Sequence, residues 1–261
     1  IVAETEIWPN LFLALHKNGV PVIQVNGRIS QRAFRRYKVI RPLLKKVLNY
    51  VNAFCMQSDS DSERIKMLGA PENRVHTTGN IKFDDLPSLD QLTIGDLGFS
   101  DSEILFIAGS THPGEEEILL HIYKSLSKDF PHLKLVIAPR HIERTNEIIR
   151  LSEQDGFVAV KFSRIHHVRP TKDSVIVVDT IGHLKSLYPL AKMVFVGKSL
   201  TIKGGHNIIE PAYFAKPILV GPYTENFKDI VEIFLKEGAL VQVKVANELQ
   251  SKISEFLKAP E

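Results

Sequence analysis

The sequence predicts an α/β fold made of two Rossmann-like domains in tandem, the first of them incomplete. Three observations carry this. Short apolar, β-branched runs alternate with segments of helical period almost throughout, the pattern of parallel sheets joined by crossover helices. The alternation lapses once, over residues 83–100, where "FDDLPSLDQLTIGDLGFS" is rich in Asp, Pro, Gly and Ser. The polar clusters fall at the carboxyl ends of strands, where open α/β sheets bind their ligands.

In chain order, the first domain reads as strands "IVAET", "PVIQVN", "AFCMQS" and "VHTTGN". Helices are expected near 8–18, 30–50 and 59–69, with Gly69 closing the last of them as a left-handed cap. The boundaries drawn are 1–84 for this domain, 85–100 for a linker and 101–261 for the second domain. That second domain carries strands "ILFIAGS", "LKLVIAPR", "VAVKF", "SVIVVD", "MVFVGKS", "PILVGP" and "ALVQV". Its helices are expected near 114–128, 142–155, 183–190, 207–215, 225–237 and 246–258. The chain opens inside a strand-like run and without Met, so an N-terminal portion is expected to be missing.

Composition narrows the function classes. With 261 residues, 44% hydrophobic and 24% charged, the chain can bury real cores and is not a disordered segment. The single cysteine, Cys55, excludes an internal disulfide, and no Cys/His set has zinc spacing. No apolar run reaches the ~20 residues of a membrane span. Charge is uneven: residues 1–84 hold 13 Lys/Arg against 7 Asp/Glu, a net +6 within a total of +3. The excess lies in residues 28–46, which have eight basic residues and no acidic one. Such a run is a solvated helix face, or a surface for anionic lipid headgroups or a phosphorylated acceptor. No nucleic-acid-binding module accompanies it.

Candidate chemistry sits at the strand ends. "ETEIWPN" puts Glu4 and Glu6 after the first strand, where carboxylates do acid–base work, hold hydroxyls, or merely favour a helix N-terminus. "TGNIKFD" puts Lys82 after another, a neutraliser of carboxylate or phosphate or an ordinary surface lysine. In "AGSTHPGEEE", Ser110 and Thr111 bind a ligand or cap the following helix, while Glu115, Glu116 and Glu117 suit its dipole without further function. Arg140 in "APRHIER" suits an oxyanion, and Gly182 in "VDTIGHL" lets a backbone come close to a partner. His112, His141, His183 and His206 also lie at strand ends, without the i, i+4 pairing of helical zinc sites.

The densest signal is "GGHNIIEPA". Two glycines after a strand allow a sharp turn, and a helix starting at Asn207 would direct its free N–H groups at an anion. Asn207 and Glu210 have capping-box spacing. If the helix instead starts at Pro211, the Glu210 carboxylate is partly free to take the vicinal hydroxyls of a ribose. An anion beside a ribose is a nucleotide, and the absence of GxxxxGK[ST] points to a nucleotide-sugar rather than a nucleoside triphosphate.

Together, "ETEIWPN", "NGRIS", "TGNIKFD", "GSTHPGEEE", "APRH", "DTIGHL" and "GGHNIIEPAYFAKPILVGPYTENFKDI" resemble the 3-deoxy-D-manno-octulosonic acid (Kdo) transferases of lipopolysaccharide synthesis, in family order from residue 1 to about 235. The resemblance implies a GT-B fold, two Rossmann-like domains facing a cleft. It implies inverting, metal-independent transfer of Kdo from CMP-Kdo, a substrate rather than a cofactor, to a lipid A precursor at the cytoplasmic face of the bacterial inner membrane. Glu4 and Lys82 match the residues that stabilise the transition state. Pro139 and Arg140, then Ile181, Gly182 and His183, then Asn207, Ile208, Ile209 and Glu210 match the segments that bind CMP. Two departures stand out: His183 occupies a position where the family usually has Glu, and the "SVGE"-like motif carrying the general base is not in these residues, nor is the family's N-terminal anchor. The implied partners are CMP-Kdo, the lipid A precursor and an anionic membrane surface, with no nucleic acid and with the oligomeric state open. The alternatives are another GT-B transferase or an epimerase using UDP-sugars, or a nucleotide-binding remnant without catalysis.

Overall fold

In the computed structural model, which describes residues 1–81 and 92–259, the chain divides into two compact units, Ile1–Leu86 and Pro87–Glu261. The first is built on a four-stranded sheet of β1 (Val2–Ala3), β2 (Ile23–Gly27), β3 (Ala53–Met56) and β4 (Val75–Thr77), in that spatial order and all parallel. Parallel neighbours need crossovers, and helices supply them. These are α1 (Pro9–Lys17), then α2 (Gln31–Val39) and α3 (Arg41–Leu48), then α4 (Asp59–Leu68).

Each helix start has a local cause. Pro9 occupies the first helical position, where its missing N–H costs nothing. Ser30 and Ser58 cap α2 and α4, each accepting at Oγ from the backbone N–H three residues on. Gly69 ends α4 in the left-handed region at φ 111°, as read from the sequence. The single helix expected over 30–50 is two helices, broken at Ile40. Pro42 has no N–H to continue the ladder of α2, so the chain turns there and restarts. Phe12, Phe34, Leu44, Leu48, Phe54, Met56, Ile65 and Leu68 form the core of this unit.

The second unit holds seven parallel strands: β5 (Ile104–Thr111), β6 (Leu133–Pro139), β7 (Val158–Lys161), β8 (Ser174–Val177), β9 (Ala191–Val196), β10 (Ile218–Val220) and β11 (Val241–Gln242). Their order is β11-β10-β9-β5-β6-β8-β7. The connecting helices are α5 (Glu115–Leu126), α6 (Thr145–Gln154), α7 (Leu184–Leu187), α8 (Ile209–Tyr213), α9 (Lys228–Lys236) and α10 (Ala246–Lys258). Because side chains alternate along a strand, β5 sends Leu105 and Ile107 into one core and Phe106 and Ala108 into the other. Both faces of the sheet are therefore buried, as parallel sheets require.

Composition alone assigned residues 85–100 to a linker. Residues 92–100 do not behave as one: a 3-10 turn at Gly95–Leu97 folds onto the second unit, with Leu97 and Phe99 buried in its core. The rest of that segment, and Lys82, lie outside the described residues.

The sheet reverses direction between β5 and β9. From β5 the chain proceeds outward one way through β6 and the other way through β9 and β10. A crevice opens at such a reversal, beyond the carboxyl ends of the two central strands. Residues following Gly109 and Val196 are placed to line it.

Candidate functional site

Two non-glycine residues hold left-handed backbone at this reversal, Ser110 at φ 55° and Lys198 at φ 57°. Such conformations persist only where surrounding structure enforces them. The enforcing group is Glu115. Its carboxylate is fully buried and accepts from the backbone N–H groups of His112 (2.9 Å), Lys198 (2.8 Å), Ser199 (3.0 Å) and Leu200 (2.9 Å). One side chain thus fastens the loop after β5 to the loop after β9. The two loops touch without side-chain space between them: a Cβ on Gly197 would lie 2.4 Å from the Ser110 carbonyl oxygen and 2.6 Å from the Thr111 Cα.

Glu116, also fully buried, receives the Arg144 guanidinium at 2.7 and 3.3 Å, and Arg144 reaches on to Glu147 at 2.8 Å. Burial pushes the Glu116 carboxyl up, and the guanidinium opposes that shift. The sequence reading gave these acids only a dipole role, and the structure corrects it for Glu115 and Glu116. Glu115 is engaged by a loop 83–85 residues further on and Glu116 by Arg144, 28 residues on, and no local pattern contains either pairing. Ser110 and Thr111 do not cap α5 either, since its N-cap is Gly114, with no side-chain bond.

Above this frame stand the basic groups. His112 and His206 approach Nε2 to Nε2 at 2.9 Å with their rings stacked, centroids 5.2 Å apart. His141 meets His112 edge-on at 5.6 Å. Burial drives the His206 imidazole down to about 4, with the charges of Arg140 and Lys198 adding to the effect. His112 is lowered as well, first by burial and then by Lys198. Among the described residues no group of three or more His, Cys, Asp or Glu is arranged to hold a metal ion.

The glycine turn is ordered by its neighbours. Gly204 N–H donates to Glu225 at 3.0 Å and Gly205 N–H to the Lys198 carbonyl at 2.6 Å. Gly205 has φ 77°, and a Cβ there would press on the Thr224 backbone. Neither glycine N–H is offered outward. The helix expected to start on Asn207 starts two residues later. The helix begins at Ile209, runs five residues, and Asn207 Oδ1 accepts from the Ile209 N–H at 3.1 Å. Pro211 lies inside its first turn, not at its start. Positive charge at this place comes from side chains, chiefly Arg140 and Lys198, rather than from a helix end.

The structure brings three of the predicted segments to the same end of the second sheet. Pro139 closes β6, and the Arg140 N–H donates to the Thr111 carbonyl at 3.0 Å. Ile181, Gly182 and His183 follow β8, with Gly182 at φ 91° in open space and His183 against Phe162. Ile208 and Ile209 bury into the core beneath the turn, leaving the half-buried Asn207 and Glu210 toward solvent. Lys185 Nζ lies 3.9 Å from Glu210 Oε1, and Asn207 Nδ2 donates to the same oxygen at 3.4 Å. Glu4 belongs to the other unit. It follows β1 with φ 55°, its carbonyl accepting from Gln24 Nε2 at 2.8 Å. The Ile81 N–H, next to the undescribed Lys82, donates to Asn26 Oδ1 at 3.2 Å. Sequence reasoning did not select Lys198 or Glu115 for the site. A lysine two residues beyond the end of β9, at the reversal of strand order, was the available signal for the first.

Residues 1–85 match the family described as 3-Deoxy-D-manno-octulosonic-acid transferase (kdotransferase). A bifunctional glycosyltransferase/methyltransferase of Fusobacterium nucleatum is 37% identical over the whole chain, which covers 40% of that protein. A 3-deoxy-D-manno-octulosonic acid transferase of Haemophilus influenzae is 33% identical over the whole chain, covering 62% of it. The chain thus spans roughly half of the length of these relatives. Among solved structures, the C-terminal CMP-Kdo binding domain of WaaA from Acinetobacter baumannii aligns with 60% of the chain and 80% of its own length, at 29% identity and TM-score 0.55. A UDP-GlcNAc 2-epimerase from Neisseria meningitidis covers 95% of the chain and 64% of itself at TM-score 0.60 and 15% identity, a likeness of fold alone.

Proposed function

The chain is a relative of the Kdo transferases along its whole length, with a GT-B type α/β fold, and from that premise we propose that it serves the transfer of Kdo from CMP-Kdo to a lipid A precursor. The observation that carries the reading is the convergence, at the strand reversal of the second unit, of Arg140 and Lys198 with the three segments 139–140, 181–183 and 207–210. Cationic side chains facing a crevice suit a phosphate, and the half-exposed Glu210 carboxylate suits ribose hydroxyls. The WaaA domain is a CMP-Kdo binding domain, and its likeness to 60% of this chain supports the same nucleotide here.

In the proposed chemistry an acceptor hydroxyl attacks the anomeric carbon of Kdo with inversion. The bond from that carbon to the CMP phosphate oxygen breaks, CMP leaves with the bonding pair, and the hydroxyl proton passes to a general base. Arg140 and Lys198 meet the negative charge that grows on the leaving phosphate. Glu4 and Lys82 serve charge stabilisation on the acceptor side, and no metal enters the scheme. The acceptor lies at the cytoplasmic face of the bacterial inner membrane, and the basic run 28–46 faces its anionic lipid.

Thermal-shift titration with CMP, UMP and UDP tests the donor. CMP is expected to raise the unfolding midpoint most, and preference for UDP would transfer the site to the UDP-sugar enzymes. Glu210→Ala should weaken CMP binding by roughly 1–3 kcal/mol through loss of charge-assisted hydrogen bonds to the ribose. Calorimetry that returns unchanged affinity in a folded variant would leave Glu210 a structural part in the turn, beside Asn207 and Lys185.

A further inference from the structure

The contact between His112 and His206 has a proton count built into it. At 2.9 Å, one Nε2 must carry hydrogen and the other must not, because two N–H groups facing each other at that distance repel. Two neutral imidazoles satisfy the contact, and so does the pair with one extra proton, placed on the far Nδ1 of the donor ring. A second extra proton would force hydrogens onto both Nε2 atoms and break it. The pair therefore has two allowed charge states, zero and plus one.

The surroundings choose between them. Lys198, Arg140, His141 and Arg144 act on His112, and the first three of these act on His206. The carboxylates nearby are already engaged: Glu115 by four backbone N–H groups, Glu116 and Glu147 by Arg144, and Glu225 by the Gly204 N–H. With no anion in the crevice, burial and four cationic or titratable neighbours hold the pair neutral. An oxyanion placed among Arg140, Lys198 and His141 reverses the sign of that field.

We propose that His112 and His206, with His141 and Lys198, form an oxyanion subsite that takes up one proton from solvent as the ligand docks. This rests on the donor reading given above, and the ligand it names is the phosphate of a nucleotide-sugar. Docking puts the negative oxygens beside the stacked rings, solvent supplies the proton to the free Nδ1 of the donor ring, and the pair becomes a single shared cation. Since the ligand-bound form holds more protons than the empty one, affinity falls as pH rises through the interval between the two titrations.

A cytidine 5′-methylphosphate diester is the suitable probe, because a phosphomonoester titrates near pH ~6 and would confuse the count. Calorimetry of the whole chain at about pH 6, in two buffers of different ionisation enthalpy, reads proton uptake directly. The expected uptake is above zero and no more than about one proton, with affinity falling several-fold between about pH 6 and about pH 8. His206→Asn should abolish the uptake and flatten the pH profile while binding persists at the alkaline end. His121→Asn, on the exposed face of α5 and outside the subsite, should leave the uptake in place. If His206→Asn does not fold, His112→Gln gives the same reading.

Diester binding with no buffer-dependent enthalpy would overturn the inference and leave the donor reading standing. Should the diester not bind, NMR titration of His206 with sulfate or with free Kdo separates the cases. A His206 titration raised by sulfate keeps the oxyanion subsite while the nucleotide reading falls. One raised by free Kdo and not by sulfate assigns the subsite to the sugar carboxylate. No shift with either overturns it.

Discussion

Glu115 shows how much of this site hangs on one carboxylate that touches no predicted ligand. Replacing it with Gln turns one acceptor oxygen into a donor facing backbone N–H groups, so at least two of its four hydrogen bonds are lost. The expected cost is about 2–4 kcal/mol of stability, because orphaned buried donors carry their full desolvation penalty. Denaturant unfolding checks this, and a midpoint equal to that of the unaltered chain would refute the bracing role. Nucleotide affinity should fall with it, since the left-handed turns at Ser110 and Lys198 lose their support. At this scale the sequence was legible in part. Arg140 and Glu210 could be picked out because strand-end position and turn chemistry are local. Glu115 and Lys198 acquire meaning only when β5 and β9 become neighbours, and that pairing is not written in either segment alone.

Among the elements, α2 and α3 form the most unusual surface. Their basic residues lie along two short helices that break at Ile40, and the corner exposes Val39, Ile40 and Leu43. Arg41 Nε donates to the Met67 carbonyl at 2.7 Å, which brings the end of α4, with its exposed Met67 side chain, to the same corner. These apolar side chains stand close in sequence to Arg35, Arg36, Lys38 and Lys46, a combination that suits the proposed contact with anionic lipid. Charge reversal at Arg32, Arg35 and Arg36 should reduce binding to vesicles containing anionic lipid at least several-fold and remove most of its salt dependence. Equal sedimentation of variant and unaltered chain with such vesicles would return the run to a solvated face. The charge was visible in the sequence. The corner was not, because it needs the break at Ile40 and the approach of Met67, 26 residues beyond Arg41, which no local pattern announces.

For the whole molecule, the division of labour follows the two units. Every described residue matched to CMP binding belongs to the second, whereas Glu4 belongs to the first. The 261 residues should therefore bind CMP through the second unit, and Glu4→Ala should leave CMP affinity unchanged. Calorimetry with CMP checks this, and a loss of affinity in a folded Glu4→Ala variant would refute the division. The fold was legible at this scale because alternation and strand-end polarity are long-range regularities printed along the whole chain. Glu115 adds a consequence in time. Its bonds to Lys198, Ser199 and Leu200 join residues 83, 84 and 85 positions apart. Loops of that length close late, after local helices and neighbouring strands have formed. A chain emerging from synthesis has no pocket of the proposed kind until β9 has docked beside β5, so nucleotide binding as proposed acts on the finished fold. It lengthens the life of the native state without hastening its arrival.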